Sequence, residues 1–200
     1  MGGIELRDDH LFVDREPNDL DELAIRFTSI LDDLTIEHVY VSGYVAILAG
    51  RSRATEDIDV LLERLDETTV THLASRLEAD GLWGPAMPLD SMNEMLSNDE
   101  NIWVAREDEI IPHLEVKFVR DEYDLASLEH AITAHISGTT LPIGPLELQI
   151  AYKLYLGTQT DFEDAVHLHT LFGESLRRHR LEAWVERLDV HDDYERLERV

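Results

Sequence analysis

The sequence of 200 residues contains no cysteine, very little lysine and no long apolar run. Without cysteine, the protein can form neither disulfides nor zinc–thiolate sites, and it has no thiol nucleophile. No apolar stretch approaches the roughly 18 residues that a membrane-spanning helix needs, and the first residues lack the basic and apolar segments of a secretory signal. We therefore expect a cytoplasmic protein with no membrane-spanning segment.

Positive charge is also scarce. Asp and Glu number 43 against 17 Lys and Arg, which gives a formal net charge of −26, and two of the basic residues are lysines. The acids are spread along the whole chain, as is typical of a solvated surface. Because salt screens such self-repulsion, we expect a halophilic source. The charge also argues against a broad basic face for nonspecific nucleic-acid binding.

The hydrophobic pattern predicts a mixture of helices and strands. Apolar residues at spacings of three and four predict helices over 19–34, 67–79, 145–157, 161–172 and 176–188, with a short one near 193. Apolar runs predict strands at 38–42 and 58–62, and an antiparallel hairpin is predicted for two further runs within 101–120. Gly43 to Gly50 forms a small-residue helix in this prediction, 84–101 a loop, 124–134 a weak helix and 137–145 a break.

These elements predict an α/β fold, α+β in detail, in which helices flank a mixed sheet. We expect an α/β domain over residues 1–140. A helical C-terminal region over 141–200 is expected to pack on it.

Two acids stand one residue apart in the strand predicted at 58–62. Residues i and i+2 of a strand face the same side, so Asp57 and Asp59 point together, about 6.6 Å apart along the backbone. Ile58 and Val60 then face the core. Two adjacent carboxylates repel each other, and a hard divalent cation would resolve this. The alternative is a solvent-facing acidic pair, which is a common feature in a chain with 43 acids.

A glycine turn precedes this pair in the segment SGYVAILAGRSRATEDIDVLL, residues 42–62. Ser42-Gly43 lies where a strand runs into a helix, a place where free backbone N–H groups favour phosphate. The segment resembles the signature of the nucleotidyltransferase superfamily with the DNA polymerase beta fold. Its minimal and abortive-infection-type prokaryotic members are the most similar. The Arg-x-Thr and Asp-hydrophobic-Asp parts of that signature match Arg53, Thr55, Asp57 and Asp59.

A second, weaker likeness covers ISGTTLPIGPLELQIAYKLYLGTQTDFEDAVHL, residues 136–168. In the family, a Leu-Pro-Val-like strand leads to a helix with a lysine and then to an Asp-x-x-Asp helix. Lys153, Asp161 and Asp164 fill these places. The resemblance implies that Ser42, Gly43, Arg53, Thr55 and Lys153 bind the nucleotide. Arg53 could instead pair with acids, as we expect for Arg51, and Lys153 could be a surface lysine.

The family also uses a third acid from a neighbouring strand. In HLEVKFV, Leu114, Val116 and Phe118 alternate as a buried face, so Glu115 and Lys117 share the other face. Glu115 is the predicted third carboxylate, the alternative being a surface Glu–Lys face.

The resemblance implies a nucleotidyltransferase that moves a nucleoside monophosphate from an NTP to an acceptor hydroxyl. Asp57, Asp59 and Glu115 would be the catalytic and metal-binding residues, with Mg²⁺ or Mn²⁺ as the cofactor. The acceptor is unknown, with tRNA, a partner protein and a small molecule as candidates. One alternative is a weakly active or inactive partner of the same fold in a toxin–antitoxin pair. Another is a structural domain with a solvated acidic strand.

Overall fold

The computed structural model describes residues 3–200, which contain nine strands and nine α-helices. The strands are β1 (Ile4–Arg7), β2 (His10–Val13), β3 (His38–Tyr40), β4 (Asp57–Leu62), β5 (Leu82–Trp83), β6 (Ile102–Arg106), β7 (His113–Phe118), β8 (Ile132–Ile136) and β9 (Thr139–Ile143). The helices are α1 (Asp19–Asp33), α2 (Ser42–Leu48), α3 (Glu67–Ala79), α4 (Met92–Ser97), α5 (Glu122–Glu129), α6 (Leu146–Leu156), α7 (Gln159–Phe172), α8 (Arg178–Leu188) and α9 (His191–Leu197).

The predicted α/β class is confirmed. All nine strands form one mixed sheet in the order β1-β2-β8-β9-β3-β4-β7-β6-β5. The strand β4 lies between β3, its antiparallel neighbour, and β7, its parallel neighbour. The chain therefore places β4 inside the sheet, with paired strands on both sides.

Most of the predicted helices agree with the structure within two residues, because their apolar spacing matches the buried side of each helix. The helix α1 follows the N-cap residue Asn18, whose side chain accepts from the backbone N–H of Asp21, while the Asp21 carboxylate accepts from the Asn18 N–H. This reciprocal capping box fixes the start of α1. The helix α3 has the predicted bounds, and the Asp66 side chain caps it.

Three predicted segments are wrong. Residues 84–101, predicted as a loop, contain a 3-10 turn at Leu89–Ser91 and the helix α4, whose buried Leu89, Met92 and Leu96 follow a spacing of three and four. The helix predicted over 124–134 ends at Glu129, and β8 follows. The break predicted at 137–145 contains β9, because Ser137-Gly138, both with positive φ, form a two-residue hairpin turn.

No strand is predicted from the sequence for residues 4–13. This segment forms the β1–β2 hairpin, whose turn residues Asp8 and Asp9 both have positive φ. Aspartate tolerates this conformation better than most residues do. The hairpin extends the sheet through the parallel pairing of β2 with β8.

One hydrophobic core contains side chains from the sheet and from the C-terminal helices, including Ile58, Val60, Leu154 and Leu168. The predicted division between residues 1–140 and 141–200 stays a prediction, and its boundary lies within β9. Among residues 3–200, no helix is both long and apolar enough to cross a membrane.

Candidate functional site

The two acids of the Asp-x-Asp pair lie on β4 with their side chains on the same face of the sheet. Ile58 and Val60, which alternate with them, are fully buried in the core on the opposite face. Asp57 and Asp59 are half-buried, and the Asp59 side chain retains 18% exposure. The two-residue period of the strand thus separates a packed apolar face from a polar one, as the sequence predicts.

Glu115 lies directly beside this pair. The strand β7 runs parallel to β4, and its register places Glu115 opposite Asp59 and His113 opposite Asp57. Leu114, Val116 and Phe118 are buried on the other face, as predicted. The structure therefore brings three carboxylates to one face of two adjacent strands.

Each of these carboxylates already has a protein partner. The Thr55 hydroxyl donates to Asp57 Oδ1 at 2.6 Å, Lys117 Nζ donates to Asp59 Oδ1 at 3.0 Å, and the Asn101 amide donates to Glu115. In these side-chain conformations, no three His, Asp or Glu side chains within residues 3–200 converge in an arrangement that could hold a metal ion. We call Asp57, Asp59, Glu115 and Lys117 the carboxylate face.

A cleft of about 280 Å³ opens next to the carboxylate face. Its lining includes Asp59, Lys117, Ser42, Asp124 and Tyr152, together with other side chains from α5 and α6. Burial raises the pKa of the Asp124 carboxyl and, with nearby Asp121 and Asp124, that of the Tyr152 hydroxyl. The cleft therefore combines apolar walls with a few polar groups beside the carboxylates, as ligand sites commonly do.

The glycine turn lies at one wall of this cleft, where β3 runs into α2. Ser42 has φ +63°, a left-handed conformation that strains residues with a Cβ atom and that glycine adopts freely. Its backbone N–H donates to Gln149 Oε1 at 2.8 Å. At Gly43, an added Cβ would meet Nη2 of Arg53 at 2.1 Å. The Arg53 guanidinium is thus packed against Gly43.

Arg53 and Lys153 belong to a second group of charges, which is centred on Asp164. Asp164 is fully buried and lies 2.9 Å from Lys153 Nζ, 3.2 Å from Arg53 Nη2 and 3.4 Å from Arg51 Nε. Lys153 also contacts Asp161 at 3.3 Å. We call Arg51, Arg53, Lys153, Asp161 and Asp164 the buried ionic cluster.

This cluster joins the chain before β4 to the helices α6 and α7. Arg51 also pairs with Glu163 at 2.7 Å, as expected for a structural arginine. Lys153 is 2% exposed, so the alternative of a surface lysine is wrong. Lys153 Nζ donates hydrogen bonds to Asp164 Oδ2 and Asp161 Oδ1, whereas Arg51 Nε, Arg53 Nε and Asp164 Oδ1 have no hydrogen-bond partner among the described residues.

The predicted site residues therefore fall into two groups. Asp57, Asp59 and Glu115 share a face, with Thr55 bonded to Asp57. Ser42 and Lys153 line the same cleft as Asp59, but the cationic groups of Lys153 and Arg53 are directed to Asp164.

No protein-family model matches the sequence, and no curated protein matches it. Among solved structures, an antigenic nucleotidyltransferase-like protein from Paracoccidioides brasiliensis is similar with a TM-score of 0.60 at 18% identity, over 91% of this chain and 93% of that chain. The antibiotic-resistance factor ANT(2'')-Ia is similar with a TM-score of 0.54 at 16% identity, over 91% of this chain and 97% of that chain. The chain has a nucleotidyltransferase-like fold.

Within the nucleotidyltransferase-like fold, the carboxylate face suits a divalent cation in the chemistry of its side chains. Three carboxylates and one ammonium leave two uncompensated negative charges at the edge of a cleft, and carboxylate oxygens are the ligands that Mg²⁺ prefers. The present side-chain conformations direct these oxygens to Thr55, Lys117 and Asn101 instead. A cation would therefore replace protein contacts at this face.

Three residues that contact the predicted site residues are not predicted as site residues from the sequence. From the sequence, Lys117 is identified only as the residue that shares a strand face with Glu115. Asn101 lies 14 residues before Glu115, and no local pattern links the two. Asp164 was recognised through the resemblance, but its contact with Arg53 joins residues 111 positions apart and leaves no local signal.

Proposed function

We propose that this protein is a nucleotidyltransferase that moves a nucleoside monophosphate from an NTP to an acceptor hydroxyl. The observation that carries the proposal is the register of β4 and β7, which sets Asp59 opposite Glu115 and beside Asp57, next to the cleft. In the reaction, a bond forms between the acceptor oxygen and the α-phosphorus. The bond from that phosphorus to the bridging oxygen breaks, and pyrophosphate leaves.

The carboxylate face supplies the catalytic groups in this proposal. Asp57 and Asp59, with Glu115, would hold Mg²⁺ or Mn²⁺, and Glu115 would accept the proton of the acceptor hydroxyl. When bound, the cation neutralises negative charge on the triphosphate. The Thr55 hydroxyl fixes the orientation of Asp57 through its 2.6 Å hydrogen bond. Positioning and charge compensation supply most of the acceleration in such reactions.

The nucleotide-binding residues have different roles. Ser42 and Gly43 form the turn at the cleft wall that approaches the phosphates. Arg53 packs against this turn, and Lys153 anchors Asp164, so both act on the nucleotide by fixing the geometry of the turn. We keep the acceptor open between a tRNA hydroxyl, a protein hydroxyl and a small molecule. We also propose a cytoplasmic, high-salt setting, which the lack of cysteine and the net charge of −26 support.

One observation favours a second candidate. Both cations predicted to bind the triphosphate, Arg53 and Lys153, are engaged by Asp164. A protein with this fold and weakened triphosphate binding would act as a weakly active or inactive partner, for example in a toxin–antitoxin pair. Stable binding to a protein encoded by an adjacent gene, without nucleotide transfer, is the result that this candidate predicts.

The test is transfer of label from each of the four α-labelled NTPs, with Mg²⁺ or Mn²⁺, at low and high KCl. The acceptors are tRNA, total protein of the source cell and a panel of hydroxylated small molecules. We expect one NTP and acceptor pair to give a labelled product. The double variant Asp57→Asn/Asp59→Asn should lower the rate on the order of 10²-fold or more, as loss of transition-state charge stabilisation commonly does.

The matched control is Asp99→Asn, which removes a carboxylate that pairs with Arg64 at the surface. Asparagine also tolerates the positive φ of this position, so the fold should be retained. The control should label like the wild type. Equal labelling by the wild type and the Asp57/Asp59 double variant, or no labelling by either with any acceptor, would contradict the proposed function.

A further inference from the structure

Lys117 is placed where a cation bound to Asp59 would compete with it. Strand alternation directs Lys117 to the face of Glu115 and Asp59, and its ammonium lies 3.0 Å from Asp59 Oδ1. The two side chains are 21% and 18% exposed, so water screens the pair only in part. A divalent cation that approaches Asp59 meets a positive charge already on that carboxylate.

The second observation concerns the space around Lys117. Lys117 and Asp59 both line the cleft, together with Ser42 of the glycine turn. When Lys117 leaves Asp59, its flexible four-carbon stem can therefore keep the ammonium within the cleft. Lys153 also lines the cleft, but it is buried between Asp161 and Asp164. Lys117 is thus the lysine at this cleft that can change its partner without leaving a buried carboxylate unpaired.

We propose that Lys117 is the internal counter-cation of Asp59 in the free protein and becomes a ligand of the triphosphate when a divalent cation takes Asp59. The inference rests on the proposed function, because it needs both the cation and the anionic nucleotide in the cleft. It assigns Lys117 a positioning role before binding and a substrate contact after binding. Asp59 then faces a positive charge in both states.

This exchange predicts effects of opposite sign on two ligands. Removing the ammonium frees Asp59 and removes a repulsion, so Mn²⁺ alone should bind more tightly. The same change removes a positive charge from the cleft, so a non-hydrolysable NTP analogue bound with Mn²⁺ should bind more weakly. A lysine with a merely structural role would not separate the two affinities in this way.

The experiment measures Mn²⁺ binding by electron paramagnetic resonance and NTP-analogue binding by calorimetry, on the full-length protein. In Lys117→Met, we expect Mn²⁺ to bind about tenfold more tightly, which corresponds to about 1.4 kcal/mol, and the analogue to bind several-fold more weakly. Lys117→Arg keeps the charge and should remain closer to the wild type. Circular dichroism and thermal unfolding confirm that each variant is folded.

The matched control is Arg64→Met, which removes one positive charge at the end of β4. The Arg64 guanidinium lies over the Phe118 ring, and Phe118 is on the opposite face of β7 from Lys117. We expect no change in either affinity. Equal changes in the two affinities in Arg64→Met and Lys117→Met would show that only overall charge matters and would overturn the inference. A Mn²⁺ affinity of Lys117→Met that is equal to or weaker than that of the wild type would also overturn it.

The double variant Asp57→Asn/Asp59→Asn separates this inference from the proposed function. If the wild type binds Mn²⁺ and the double variant does not, the cation site exists, and the Lys117 variants decide the inference alone. If Lys117→Met shows the two opposite shifts but no acceptor is ever labelled, the inference stands and the transferase function fails. Absence of Mn²⁺ binding in every protein would overturn both.

Discussion

The buried ionic cluster and the carboxylate face use the same kinds of side chain in opposite ways. In the cluster, Asp161 and Asp164 meet three cations, and Glu163 at its rim balances the third. At the carboxylate face, three carboxylates meet a single ammonium, that of Lys117. The first group is charge-balanced and buried at its centre, while the second keeps excess negative charge beside an open cleft.

The two groups therefore differ in what they contribute to the protein. A buried carboxylate without its partners would be strongly destabilising. The cluster therefore holds α6, α7 and the segment before β4 together. Uncompensated negative charge at a half-buried face favours the binding of a cation. The cluster therefore carries stability, and the carboxylate face carries the proposed chemistry.

The largest expected effect comes from making the same substitution in both regions. Asp164→Asn leaves three cations without their central partner and should lower the free energy of unfolding by about 3–5 kcal/mol, as for other broken buried ion pairs. Asp57→Asn removes a carboxylate from a like-charged pair and should leave stability close to that of the wild type. Urea unfolding at fixed KCl measures both. Equal stability losses in the two variants would remove the distinction between the regions.

The second prediction concerns the point where the cluster contacts the glycine turn. Gly43→Ala places a Cβ against the Arg53 guanidinium and should cost about 1–3 kcal/mol, as is usual for overpacking. In an Arg53→Ala background, the same substitution should cost less, because the obstructing group is gone. A double-mutant cycle by urea unfolding measures this coupling. Additive losses would show that Arg53 does not support the turn.

The local and long-range parts of this organisation differ in how well the sequence predicts them. The face of Asp57 and Asp59 and the buried face of β7 follow from strand periodicity within six residues, and both predictions are confirmed. The partners of Arg53 and Lys153 depend on where α7 packs, which no local pattern encodes. The β1–β2 and β8–β9 hairpins were missed because their turns use Asp-Asp and Ser-Gly in left-handed conformations rather than the stronger Asn-Gly signal.

A third prediction concerns acid sensitivity, which we expect to arise from a buried histidine outside both charged regions. His38 is buried, and burial lowers its pKa. Its Nδ1 donates to the Ile36 carbonyl, its Nε2 lies 3.2 Å from the Thr28 hydroxyl, and burial favours the neutral ring in the folded state. Below the usual histidine pKa of about 6.5, the unfolded chain takes up a proton that the folded state does not. The free energy of unfolding therefore decreases as the pH is lowered.

The measurement is the free energy of unfolding between about pH 7 and pH 5, above the range in which most carboxylates titrate. His38→Gln should flatten this part of the profile, and His72→Gln, which changes an exposed histidine, should leave it unchanged. An unaltered slope in His38→Gln would assign the acid sensitivity to other groups.

The smallest expected effect is a gain in stability at the wall of the cleft. Ser42 has φ +63°, and Ser42→Gly should relieve that strain by up to about 1 kcal/mol. If the serine hydroxyl also contacts phosphate, the variant should bind the NTP analogue more weakly while it unfolds at a higher temperature. Calorimetric unfolding and analogue titration test the two effects. A loss of stability would show that the serine side chain holds the turn in place.

The most direct test of the central claim is a crystal structure with Mn²⁺ and a non-hydrolysable NTP, in which anomalous scattering locates the metal. The account predicts Mn²⁺ bound by oxygens of Asp57 and Asp59, with Glu115 beside it and the triphosphate in the adjacent cleft. A metal bound elsewhere, or a nucleotide bound away from this face with Lys117 still paired to Asp59, would contradict it.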